Sequence, residues 1–179
     1  KPTEQMHIAI AWPSVPESHP DYYAARLTCE LLGGASSSRL FTEVREKRGL
    51  CYSVGVNYAS LRDRASLLGY AGTTAERAQQ TLDQFIHEVR RISDGISAGE
   101  LERARIGLKS ATIMSAESTA ARASMNAGDY FTYERTRSIE EVAHALDAVT
   151  LDQANRFLHD QKQHDFTIVN VGPRVLTPP

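Results

Sequence analysis

Arg45 and Tyr52 are the two side chains whose types and spacing suggest chemistry. Arginine brings five N–H donors and a permanent charge, and tyrosine brings a neutral O–H donor. Such a pair could hold a peptide carbonyl or an oxyanion developing on it. Structural roles account for both residues as well. Arg45 falls in the last turn of a predicted helix, where a cation complements the carbonyl end of the dipole. Tyr52 falls on the apolar side of a predicted strand, where its ring could be core and its hydroxyl at the rim.

Other candidates offer less. The histidines are His7, His19, His87, His144, His159 and His164, and none has a second ligand three or four residues away with a carboxylate between. His159 and His164 read as a solvated helix end, His87 and His144 as surface residues, and His7 as a partly exposed strand residue. Ser36-Ser37-Ser38 lacks the Gly-x-Ser-x-Gly elbow of a serine nucleophile. Gly33-Gly34 lacks the Gly-Lys-Ser/Thr ending of a phosphate loop and follows a helix, not a strand. Cys29 and Cys51 have no metal-type spacing and read as small core residues with free thiols, a disulfide between them being the alternative. No metal-ligating residues are assigned. On residues alone, the chain has no self-sufficient active site.

The elements that position Arg45 and Tyr52 are legible. Serine around 36–38 can cap a short helix whose apolar stripe is Leu40, Phe41 and Val44. Arg45, Lys47 and Arg48 crowd its last turn, and Gly49 suits a left-handed stop. From Leu50 the period changes to two, with Leu50, Tyr52, Val54, Val56 and Tyr58 on one side of a strand reaching about Ala59. Upstream lie a strand over 5–13, a proline-rich connector, and a helix from Asp21 to Gly33-Gly34. Downstream, a connection over 61–64 leads into a strand over 66–73, weakened by Gly69 and Gly72. The rest is helical up to one last strand, residues 165–172. Capping boxes are expected at Thr73–Glu76, Ser97–Glu100, Ser138–Glu141 and Thr150–Gln153, with residues 116–132 continuing helical.

Strands and helices are partly segregated, which predicts an α+β fold: a mostly antiparallel sheet of four to five strands with helices on one face. Residues 1–173 form one domain in this reading, and 174–179 a loose tail. The composition is globular, and the net charge of −2 gives no footprint for nucleic acid or an acidic membrane surface. No apolar run approaches a membrane span, and no targeting segment is visible.

Residues 32–54, Leu-Gly-Gly-Ala-Ser-Ser-Ser-Arg-Leu-Phe-Thr-Glu-Val-Arg-Glu-Lys-Arg-Gly-Leu-Cys-Tyr-Ser-Val, resemble the second, non-zinc half of the insulinase/pitrilysin-like (inverzincin) metallopeptidases. The likeness is nearest to the processing-peptidase branch. In weaker form it runs from Gln5 to Pro173, and residues 95–105 look like the family's turn into a long helix. The resemblance implies a metallohydrolase-like α/β sandwich that closes over a peptide substrate. In that family the first half carries zinc on an inverted His-x-x-Glu-His helix. The second half contributes an arginine and a tyrosine seven residues apart, a spacing that Arg45 and Tyr52 share. By resemblance, Tyr52 is an auxiliary catalytic donor to the scissile carbonyl, and Arg45 and Tyr52 bind substrate. This chain has no His-x-x-Glu-His, so no cofactor is expected in it, and zinc is expected in a missing first half or a homologous partner subunit. The Lys1 start fits an excised second domain. The alternative is a non-catalytic assembly subunit of the same fold.

Overall fold

In a computed structural model, residues 4–161 and 165–179 are described. Strand β1 (Gln5–Ser14) lies in the middle of an antiparallel sheet of order β2-β3-β1-β4, with β2 at Ser53–Ser60, β3 at Ala65–Thr74 and β4 at Thr167–Val171. The register sets Met6 against Thr73, Trp12 against Leu67 and Val56 against Gly69. One face is therefore apolar throughout: Met6, Ile8, Ile10 and Trp12 of β1 and Leu67 and Ala71 of β3 are buried. Helices α1 (Tyr22–Cys29), α2 (Ala78–Arg91) and α6 (Leu151–Asp160) supply the other half of the core, with Leu27, Leu82, Phe85, Ile86, Val89 and Leu158 buried. The opposite face is open, and Leu68, Tyr70, Val169 and Val171 are exposed on it. The fold is the expected α+β type with four strands among the described residues. No helix among them is long and apolar enough to cross a membrane.

Of the expected capping boxes, Ser97 and Ser138 close reciprocally at the heads of α3 (Ala98–Ala116) and α5 (Ile139–Ala148). Thr150 accepts from the Gln153 amide at the head of α6. Thr73 does not cap. It stays in β3 opposite Met6, and its buried hydroxyl donates to the Leu50 carbonyl, so α2 begins only at Ala78. The helical run expected over 116–132 is broken at Ser118, whose side chain accepts from the Ala121 amide and starts α4 (Thr119–Tyr133). The tail is not loose: Thr177 and Gln79 exchange two hydrogen bonds of 2.8 and 2.9 Å, and Leu176 is buried.

Two glycines read as weaknesses of β3 make room for rings. A Cβ on Gly69 would lie 2.5 Å from the Phe85 ring, and one on Gly72 would meet the ring of Tyr52. Gly33 is tighter still, because its Cβ would lie 2.5 Å from the Val56 amide nitrogen and 2.9 Å from the Gly55 carbonyl carbon, both backbone atoms of β2.

Arg39 ties the same stretch to α3. Its Nε donates to Glu100 Oε1 at 2.8 Å and its Nη2 to the Gly95 carbonyl at 3.0 Å, both partners lying at the start of that helix. Burial pushes the Glu100 carboxyl up, but the Arg39 and Ser97 bonds outweigh it and hold the group at about 2.

Two outcomes follow from this packing. Gly33→Ala should cost about 1–3 kcal/mol, as overpacking against backbone does, read as a lowered denaturant midpoint with the slope unchanged. An unchanged midpoint would mean that the helical segment Glu30–Gly34 and β2 are not held at the distance described. For Glu100 the folded-state pKa lies below its ordinary 4.5, so its contribution is complete above that value and fades as the pH falls toward about 2. Glu100→Gln should flatten the stability–pH curve in that window, and an identical acid limb in both proteins would count against the Arg39 pair.

Candidate functional site

The stretch carrying Arg45 and Tyr52 starts at Ser38, whose carbonyl accepts from Thr42 N (3.0 Å) and whose hydroxyl lies 3.5 Å from Phe41 N. The expected short helix forms, but from Phe41 to Glu46 it is widened to a π turn, with Lys47 N bonded to the Thr42 carbonyl. It stops where the sequence predicts. Gly49 has φ +60°, and its amide bonds to the Arg45 carbonyl in the left-handed capping pattern.

Arg45 does not serve that helix end. Arg48 donates to the Glu43 carbonyl at 2.9 Å and to its carboxylate at 3.0 Å, Lys47 donates to the same carboxylate at 2.7 Å, and Arg77 donates to the Gly49 carbonyl. Lys47 first, then Arg48, hold the Glu43 carboxyl below the usual carboxylate range. The Arg45 guanidinium makes no hydrogen bond among the described residues. It stacks 4.5 Å from the Phe41 ring centroid, lies 3.9 Å from Glu46 Oε1, and is 41% exposed.

Tyr52 departs from its expected place on the apolar face. Leu50 and Cys51 are both buried, the chain bends at Tyr52, and regular pairing begins only at Ser53. This bend breaks the alternation, and the ring crosses to the open face above Gly72 while the Tyr52 amide bonds to the Gly72 carbonyl at 3.0 Å. Tyr52 is 46% exposed, and its hydroxyl donates to Gln5 Oε1 at 3.0 Å. Partial desolvation and then the neighbouring Tyr70 hydroxyl raise its pKa above the ordinary tyrosine value, so it is a neutral donor near pH 7. Tyr70 in turn lies 2.8 Å from His7 Nδ1.

The structure thus brings together Tyr52, Gln5, Tyr70 and His7 on the open sheet face. No hydrogen bond joins Arg45 to this group. Gln5, Tyr70 and His7 went unassigned in the sequence. The period of two puts His7 and Tyr70 on the face away from the core, but only the strand register puts them side by side.

The other candidates separate. His87, His144 and His159 are exposed, and His159 lies beside Asp160; His164 is outside the described residues. Cys29 and Cys51 are free and buried, and burial pushes their thiols up to about 12 and about 11, which keeps both protonated and unreactive. Among the described residues no group of three His, Cys, Asp or Glu could hold a metal ion, so these side chains do not fit a zinc ion.

The family model described as the peptidase M16 inactive domain matches residues 1–108. An uncharacterized zinc protease of Bacillus subtilis is 31% identical over 176 residues, covering 97% of this chain and 42% of the relative. An uncharacterized zinc protease of Mycobacterium leprae is 30% identical over 172 residues, covering 95% of this chain and 38% of the relative. Among solved structures, a peptidase M16 inactive domain from Pseudomonas fluorescens superposes with a TM-score of 0.82 at 26% identity, covering 100% of this chain and 43% of that one. The chain spans about two-fifths of the length of the curated relatives it matches.

Proposed function

The chain belongs to the peptidase M16 inactive-domain family, and from that premise we propose that it is the substrate-closing, non-zinc half of a zinc metalloendopeptidase. Peptide hydrolysis would require a zinc-bearing half, in the same polypeptide or in a homologous subunit. The metal is assigned to that half because the donors among the described residues do not fit it. The names of the two bacterial relatives support the assignment to peptide hydrolysis.

One observation carries the role of this half: the Tyr52 hydroxyl is a neutral donor held over the open sheet face by a bend that breaks the strand's alternation. In the closed enzyme Tyr52 would exchange its Gln5 partner for the scissile carbonyl oxygen, and donate more strongly as that oxygen becomes anionic. Arg45, whose donors no neighbour occupies, would hold a substrate backbone carbonyl or carboxylate nearby. The exposed apolar side chains of Leu68, Val169 and Val171 give the same face a surface for an extended peptide.

The test uses the complete enzyme. Tyr52→Phe should lower kcat by about 10²-fold, the usual loss for one oxyanion donor, and leave KM within about twofold. Arg45→Gln should chiefly raise KM. An unchanged kcat in Tyr52→Phe would remove the oxyanion role and favour an assembly module in which both residues are framework.

A further inference from the structure

At the far end of β2 from Tyr52, the helices do not close on the sheet. A cavity of about 540 Å³ lies between α1, α3, α4 and α5, within the range of small-molecule sites. Two arginines reach it, and they are treated very differently. Arg137 is fully engaged: it lies 2.6 Å from Glu17 Oε1 and 2.6 Å from Asp129 Oδ1, and it also donates to the hydroxyls of Tyr23 and Tyr133. Glu17 and Glu30 act on the charge of Arg26, but neither forms an ion pair or hydrogen bond with it. The Arg26 Nη1 donates to the Tyr22 hydroxyl at 2.9 Å, and among the described residues Arg26 makes no other hydrogen bond and no ion pair.

The centroids of the Tyr22 and Tyr58 rings lie 5.8 and 5.6 Å from the Arg26 guanidinium carbon, and all three residues line the cavity. Burial pushes the Tyr22 hydroxyl up to about 12, so it keeps its proton. That oxygen accepts from Arg26, and its own proton meets no acceptor among the described residues. The remaining guanidinium N–H groups and a hydroxyl proton therefore face the same cavity with no acceptor bonded to them among the described residues. Partly buried donors without acceptors are costly, and a carboxylate supplied from solution offsets that cost.

We propose that this cavity binds an amphiphilic monoanion, a carboxylate carried on a short apolar chain, with Arg26 and Tyr22 as the donors to its head. Leu108, Met125, Val142 and Leu146 line the space a hydrocarbon chain would fill. Glu17 and Asp129 also face the cavity, and their charges select against a head carrying more than one negative charge. The site is remote from Tyr52 and does not depend on the peptidase reading.

Gly128 of α4 provides a variant that need not weaken the fold, because a Cβ built there meets nothing within 4 Å and a larger residue suits a helix interior. Calorimetric titration of the full chain should show one saturable site for octanoate, at least about tenfold tighter than for octan-1-ol or octyl phosphate. Arg26→Gln should weaken octanoate by at least about tenfold. Gly128→Leu should abolish binding with no fall in Tm. No saturable octanoate binding, equal affinity for the alcohol, or undiminished binding in Gly128→Leu would overturn the proposal. Octyl phosphate binding as tightly as octanoate would overturn the single-charge assignment. Should Arg26→Gln fail to fold, the head-group comparison and Gly128→Leu decide.

Discussion

The open sheet face depends on how the Leu50 carbonyl is held. Leu50 is a buried residue between the helix and β2, outside the strand pairing that begins at Ser53. The Thr73 hydroxyl donates to its carbonyl, and the buried Thr81 hydroxyl lies 3.1 Å away. An unpaired carbonyl in this position would cost about 1–3 kcal/mol. Those two threonines come from β3 and α2, so one backbone oxygen fastens the junction to both layers of the core. With Leu50 and Cys51 drawn inward in succession, the next side chain has only the outer face available. Tyr52 is exposed because its two predecessors are buried.

The same constraint explains where glycine is needed. Tyr52 can lie flat over the sheet only if the strand beneath it has no side chain, and Gly72 meets that condition. On the core side, Gly69 admits the edge of Phe85, which packs edge-on to Trp12 with ring centroids 6.5 Å apart. Gly33 lets the end of the first helical segment touch the backbone of β2. Each removes a Cβ where two groups approach more closely than a Cβ permits, and together they fix the distance between helix layer and sheet. The Arg39 pair with Glu100 then sets the signature stretch against α3.

Local chemistry was readable in the sequence wherever one segment decides its own structure. The Gly49 stop and the Ser97 and Ser138 boxes are all of this kind. Readings failed where a distant partner outbid a local preference. Thr73-Thr-Ala-Glu76 has the pattern of a capping box, yet pairing with Met6 and the bond to Leu50 keep Thr73 in a strand. Alternation put Tyr52 in the core because a period of two assumes that the strand is already regular at that point. The companions of Tyr52 on the open face come from β1 and β3, and only register brings them there.

The contrast between Arg26 and Arg137 carries this distinction into function. Both are partly buried arginines beside tyrosines. Arg137 pairs with both Glu17 and Asp129, joining the loop before α1 to α4, and its donors are engaged without a ligand. The same loop and helix could have offered Arg26 a carboxylate, but both acids are already committed. Charge is balanced across the cavity as a whole, while the Arg26 guanidinium has only one bonded partner among the described residues. A fold stabilised only for itself gains nothing from such an arrangement, since moving either acid toward Arg26 would only strip Arg137 of an acceptor. The unpaired donors become useful only when something outside the chain supplies the acceptor.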